Sequence, residues 1–258
     1  MSHGNFQHLE LHLCLHLLYI FLTKHGVKPE FILDRKFLKE SFHFSAGNYI
    51  SGLFMTGPAL LMPVLILNIL GAEEAAYYYI AFAVVALLLK IPSSVSLSLF
   101  VEGSHGEELK KNVEKSLSYA FGILIPAAVL LYIFSEQALG LMGPIYAAEG
   151  SGLLRLMIVA SLFTGVNSIY FAIKRIQKEI KELVIVSGII GLTVLVSSYL
   201  FLNLLGLEGA GYGWIAGNMV GCVVVLFIAI RKNEIWFLII ILVSLEILLL
   251  KLKDTFYE

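Results

Sequence analysis

The chain has 258 residues, 59% of them hydrophobic and only 14% charged, with a mean hydropathy of +0.87. A soluble domain carries nearer a quarter charged residues, so this composition excludes a water-soluble globule and points to an all-α, polytopic membrane protein. The formal net charge of −1 leaves no electrostatic footprint for nucleic acid.

The first apolar stretch, Leu9–Thr23, is short and holds Glu10, His12 and His16. It lacks the basic start and small-residue cleavage site of a signal peptide, so residues 1–24 are expected to hold a partial or extra transmembrane helix. His8, His12 and His16 share one helical face, but no Asp or Cys ligand set accompanies them and no metal site is expected. Residues 25–43 are polar, contain Pro29 and are expected to form a cytoplasmic linker.

Six central spans follow, because a bilayer core needs about 20 apolar residues. They are Ala46–Leu70, Ala75–Leu99, Val113–Phe134, Gly152–Ile173, Leu183–Leu204 and Ala210–Ile230. The loop Ser135–Gly150 has turn chemistry and is expected to carry a short surface helix. Residues 233–258 hold a last, shorter apolar run, Ile235–Leu250, with Glu246 inside it. Domain boundaries are therefore expected at 1–24, 25–43, 44–232 and 233–258.

Loop charge alternates along the chain. The loops before the first span, after the second, after the fourth and after the sixth hold lysine or arginine, among them Lys36, Lys39, Lys110, Lys111, Lys178, Lys181, Arg231 and Lys232. The intervening loops hold none. The positive-inside rule then makes the basic loops cytoplasmic in a multi-pass protein of the cell membrane. Tyr77, Tyr78 and Tyr79 fall at a span boundary, where aromatic rings are expected at the lipid–water interface. The glycines of GLEGAGYGWIAGN are expected to permit close helix packing.

Several residues interrupt the apolar runs. Lys90, Ser94 and Ser98 are spaced i, i+4, i+8 and share one helix face. They form a cationic patch in a cavity suited to phosphate, or else the lysine snorkels to the interface. Lys90 lies roughly 12 residues before Glu102, about 18 Å of helix, which is long for snorkelling. Ser45, Asn48, Gly52, Thr56 and Ala59 make a small and polar stripe on the first central span, either cavity lining or a packing surface. Asn167, with Thr164 and Ser168, makes a similar patch, and Arg155 is either an interfacial anchor or a ligand group. Pro58, Pro63 and Pro92 are expected to break or kink their helices. Lys174, Arg175, Lys178 and Lys181 are expected to orient the chain and meet lipid headgroups. No nucleophile, metal or nucleotide motif is present, so no catalysis and no cofactor is expected.

The segments FSAGNYISGL, LLMPVLILNILGAEEAAYYYIA, KIPSSVSLSLFVEGS, ELKKNVEKSL, LLRLMIVASLFTGVNSIYFAIKRIQKEIKELVIVSG and GLEGAGYGWIAGN occur in this order. Together, over about Phe37–Lys232, they resemble the O-antigen-flippase-like polysaccharide transporters of the multidrug/oligosaccharidyl-lipid/polysaccharide exporter (MOP) superfamily. The resemblance implies two six-helix lobes around a central cavity that works by alternating access. It implies a lipid-linked oligosaccharide cargo among membrane lipids, with cationic cavity residues for its pyrophosphate. Lys90 fits that role best and Arg155 less well. The chain departs from the family in holding helices for one lobe only, resembling the C-terminal half. A second lobe, its own copy or a missing N-terminal half, is therefore expected as partner. The alternatives are a lobe of a multidrug-type cation antiporter, whose usual intramembrane carboxylates the central spans lack, or a non-functional fragment. A membrane enzyme of glycan assembly would need large charged outer loops, which are absent here.

Overall fold

The computed structural model describes residues 34–104 and 109–232. The readings of Leu9–Thr23, the histidine series and Ile235–Leu250 lie outside the described residues. Chain contacts separate two units, residues 1–43 and 44–258. In the first, the Asp34 carboxylate accepts the Lys36 N–H at 2.8 Å and so caps helix α1, Arg35–Ile69. Residues 35–43, within the expected linker, are helical. The cap and the helix-forming Lys, Leu and Glu of that stretch favour this conformation.

In the second unit, α1 continues and is followed by α2, Ala72–Ser104, α3, Leu109–Ile133, and a short α4, Ser135–Gly140. Then come α5, Pro144–Ile176, α6, Ile180–Leu205, and α7, Glu208–Arg231. The described residues contain no strand. Six helices are long and apolar enough to cross a membrane, and they coincide with the six expected spans. The loop expected at 135–150 is divided between α4 and the start of α5, where Pro144 occupies the first turn and needs no amide donor. Short turns force antiparallel neighbours. Gly71 takes φ +108 between α1 and α2 and Gly206 takes φ +63 after α6, a backbone region open to glycine at little cost.

Helix α5 is the hub. It packs against α2, α3, α4, α6 and α7, and it buries Leu153, Leu154, Met157, Ile169 and Tyr170. The most extensive helix pair is α6 with α7. Gly209, Gly213, Gly217 and Gly221 recur every four residues and form one stripe on α7. A Cβ at Gly217 would lie 2.8 Å from the Val194 amide nitrogen, and one at Gly213 would lie 2.7 Å from Ser198 Cα. The two backbones therefore touch, as small-residue stripes allow where lipid offers no hydrophobic drive to association.

The helices run uninterrupted through Pro58, Pro63 and Pro92, so the expected breaks do not occur. Each proline removes one amide donor and leaves the carbonyl four residues earlier without its helical partner. At Pro58 the freed carbonyl is that of Phe54. A Cβ on Gly191 of α6 would collide with that oxygen, so glycine there lets the two backbones approach closely.

Tyr78 corrects a second expectation. It is fully buried, stacked on Phe82 with ring centres 5.8 Å apart, and its hydroxyl accepts the Trp214 indole N–H at 3.3 Å. Its neighbours differ, since Tyr79 is exposed and Tyr77 meets Tyr146 edge-on. A helix turns 100° per residue, so three consecutive tyrosines cannot all face lipid.

Candidate functional site

Lys90, Ser94 and Ser98 stand together on an exposed face of α2, near the middle and the basic-loop end of the helix. Ser98 donates to Glu102 Oε1 at 3.1 Å. Neighbouring Ser93 satisfies its hydroxyl on the Leu89 carbonyl at 2.8 Å. Pro92 and Leu88 are buried on the opposite side, so the Leu88 carbonyl that the proline leaves without its helical donor belongs to the packed face, away from the lysine. Among the described residues nothing pairs with the Lys90 ammonium. The face thus offers one unneutralised cation flanked by hydroxyl groups, chemistry suited to an oxyanion such as phosphate.

The other candidates lie elsewhere. Thr56 is exposed on α1 and bonds its own helix at the Gly52 carbonyl, 2.8 Å away. Asn48 is partly buried, and its Oδ1 accepts Arg175 Nε–H at 3.1 Å. Asn167 is fully buried between α5 and α7. Its amide donates to the Asn218 carbonyl at 3.1 Å, and Thr164 donates to Asn218 Oδ1 at 3.1 Å. These buried polar groups satisfy one another and tie two helices together. Asn218 escaped the sequence reading although it ends the quoted GLEGAGYGWIAGN segment. Arg155 sits at the opposite end from the basic loops. It donates to Ser135 Oγ at 2.8 Å and to Glu136 Oε1 at 2.9 Å, with its guanidinium over the Tyr132 ring. Its fork is spent on holding α4 against α5. No hydrogen bond joins the Lys90 face to Asn48, Asn167 or Arg155 among the described residues.

The basic-loop end holds a cluster the sequence did not reveal. Lys174 is fully buried, and its ammonium lies 2.8 Å from Glu179 Oε2 and 3.2 Å from Glu182 Oε2. Lys232, at the end of α7, closes the ring by pairing with the other oxygens, Glu179 Oε1 at 2.8 Å and Glu182 Oε1. Tyr170 donates to Glu182 at 3.3 Å and its ring underlies Lys174. Two ammonium groups and two carboxylates neutralise one another across three helix ends. Partial burial raises the Glu179 carboxyl, but hydrogen bonds from Lys174 and Lys232 outweigh it and hold the group at about 2. The same bonds, from Glu179 first and Glu182 next, push Lys232 well above its usual range.

Local geometry explains how Glu179 gets there. The α5 helix ends in a Schellman motif, with Glu179 N–H on the Lys174 carbonyl at 2.9 Å and Lys178 N–H on the Arg175 carbonyl at 3.1 Å. Lys178 takes the left-handed conformation, φ +58, where glycine is usual. Lys174 is therefore not the headgroup contact expected, Arg175 is partly buried with its Nε–H on Asn48, and Lys178 and Lys181 are exposed. A signal was present in KRIQKEIKE: two glutamates follow the lysine within nine residues across a turn.

No group of three or more metal-ligating side chains occurs among the described residues.

Comparison with known proteins gives a consistent placement. The family model described as "Polysaccharide biosynthesis protein" matches residues 6–143. A relative from Shigella flexneri, described as "Putative O-antigen transporter", is 26% identical over 179 residues. That match covers 64% of this chain and 42% of the relative. The chain thus spans less than half the length of that curated relative. Two solved structures share the fold. An outward-facing multidrug resistance MATE transporter of the MOP superfamily superposes with a TM-score of 0.69 at 18% identity, covering 80% of this chain and 49% of that one. A MATE protein in complex with MaL6 gives 0.71 at 17% identity, covering 86% and 54%. The matched family model, the relative and the six-span helical fold together show that the chain belongs to the polysaccharide biosynthesis protein family, built on the fold of about half a MOP-superfamily transporter.

Proposed function

We propose that this chain is one lobe of a membrane flippase or exporter that moves lipid-linked oligosaccharide or polysaccharide precursors by alternating access. The observation that carries the reading is Lys90: a cation near the middle of a membrane-length helix, exposed, unpaired among the described residues and flanked by hydroxyl groups. A charge at that depth is costly unless it meets water or an anion. The family and the putative O-antigen transporter relative support a glycan cargo, and the cation favours one that bears a phosphate.

In this reading the phosphate enters beside Lys90 while the lipid tail stays in the bilayer. Ser94, on the same exposed face, meets hydroxyl groups of the sugar. Asn48 and Thr56 belong to the same path on the α1 side. A second lobe, another copy or a separate half, completes the cavity. The lobes rock with Pro58, Pro63 and Pro92 as the points of least helical resistance, and the basic loops face the cytoplasm of the cell.

The test is lipid-linked oligosaccharide flipping in proteoliposomes. Lys90→Ala inserts normally and loses transport, while Lys90→Arg retains part of it. Wild-type transport by Lys90→Ala would overturn the assignment.

A further inference from the structure

The cations at the basic-loop end are not equivalent. Lys174 and Lys232 are each held by both Glu179 and Glu182. Arg175, the next residue after Lys174, has no carboxylate within ion-pair distance among the described residues. It is partly buried, so it is not simply a solvated surface charge. Its Nε–H is committed to Asn48 Oδ1 at 3.1 Å, and Asn48 is itself oriented because its Nδ2 donates to the Phe44 carbonyl at 3.0 Å. That chain of bonds fixes the guanidinium plane. Both terminal nitrogens of the fork remain without a partner among the described residues. A guanidinium always carries its charge and presents paired donors matched to oxyanions. A partly buried one without a counter-ion is stabilised by whatever anion reaches it.

We infer that Arg175, positioned by Asn48, is a phosphate-binding subsite at the basic-loop end of the α1 polar stripe. Its ligand class is a phosphate or pyrophosphate group. The site follows from local geometry alone. Only the source of the phosphate, the head group of a lipid-linked substrate, rests on the proposed function. Asn48 is a positioning residue that acts through Arg175. The subsite is separate from Lys90, to which no hydrogen bond connects it among the described residues.

The test uses the full chain in nanodiscs of zwitterionic lipid, with farnesyl pyrophosphate as probe and binding read by calorimetry. Arg175→Gln weakens binding about tenfold, the loss of one charge-assisted interaction. Arg175→Lys, which keeps the charge and discards the fork, recovers only part of it and guards against a folding artefact. Asn48→Ala weakens binding less than Arg175→Gln, and no further when added to it. Lys181→Ala, which removes an exposed cation at the same end, changes nothing. Competition by inorganic pyrophosphate would assign the site to phosphate alone, and its absence would assign it to the lipid-borne group. Equal binding by wild type and Arg175→Gln would overturn the inference. Loss of flipping in Lys90→Ala beside unchanged probe binding in Arg175→Gln would sink this subsite and leave the proposed function standing.

Discussion

Lys90 and Lys174 both lie inside membrane-length helices, and their surroundings differ in kind. Lys174 is buried and shares two carboxylates with Lys232. Lys90 is exposed and shares none among the described residues. The first arrangement cancels charge within the lobe and fastens the ends of α5 and α7 to the start of α6. The second leaves charge uncancelled on an outward face. A buried ion pair contributes little net stability compared with an apolar replacement, but breaking it strands a charge. An exposed cation without a partner among the described residues adds little to the fold, and in the proposed reading its partner is the cargo.

Removing both carboxylates breaks the first arrangement most severely. Glu179→Ala combined with Glu182→Ala leaves Lys174 buried without a counter-ion and is expected to cost about 3–5 kcal/mol. Thermal unfolding in detergent reads this, against Lys90→Ala, which shifts stability by less than about 0.5 kcal/mol. Next in size is Gly217→Val, which forces a side chain into the Val194 backbone and costs about 2–3 kcal/mol in the same assay. Asn218→Ala removes the side-chain oxygen that accepts from Thr164 at 3.1 Å and from Asn167 at 3.4 Å, leaves the backbone carbonyl as the other Asn167 acceptor, and costs about 1 kcal/mol. Smallest is Lys178→Gly, which relieves the left-handed residue in the α5–α6 turn and raises stability by about 0.5–1 kcal/mol.

Acid sharpens the same contrast. The Glu179 carboxyl is depressed from 4.5 to about 2, so its contribution is complete above pH 4.5 and is lost as pH falls toward 2. Melting temperature should therefore drop across that window in wild type. The drop should be smaller in Glu179→Gln, which has no carboxyl to titrate there.

Much of the framework was legible in the residues. Span length and loop charge located all six long helices, since both are local properties of the chain. The α7 glycine stripe announced its close contact with α6. The pairing of Lys174 was hidden because its partners arrive through a turn and, for Lys232, from another helix. Tyr78 was misplaced because composition at a boundary does not say which way each ring faces. Asn167 and Arg155 were singled out as polar residues in apolar spans. Their hydrogen-bond partners, Asn218 and Glu136, depend on tertiary packing that spacing does not encode.

The most direct measurement is solvent access to the Lys90 face. In a background with Cys14→Ala and Cys222→Ala, Lys90→Cys and Ser94→Cys would be reacted with a charged, membrane-impermeant thiol reagent in proteoliposomes. Ile123→Cys on α3, an exposed apolar position, serves as the lipid-facing reference. The account predicts fast labelling at 90 and 94 and none at 123, with added substrate slowing the first two. Equal protection of all three positions would place Lys90 in lipid and contradict its role as the substrate contact.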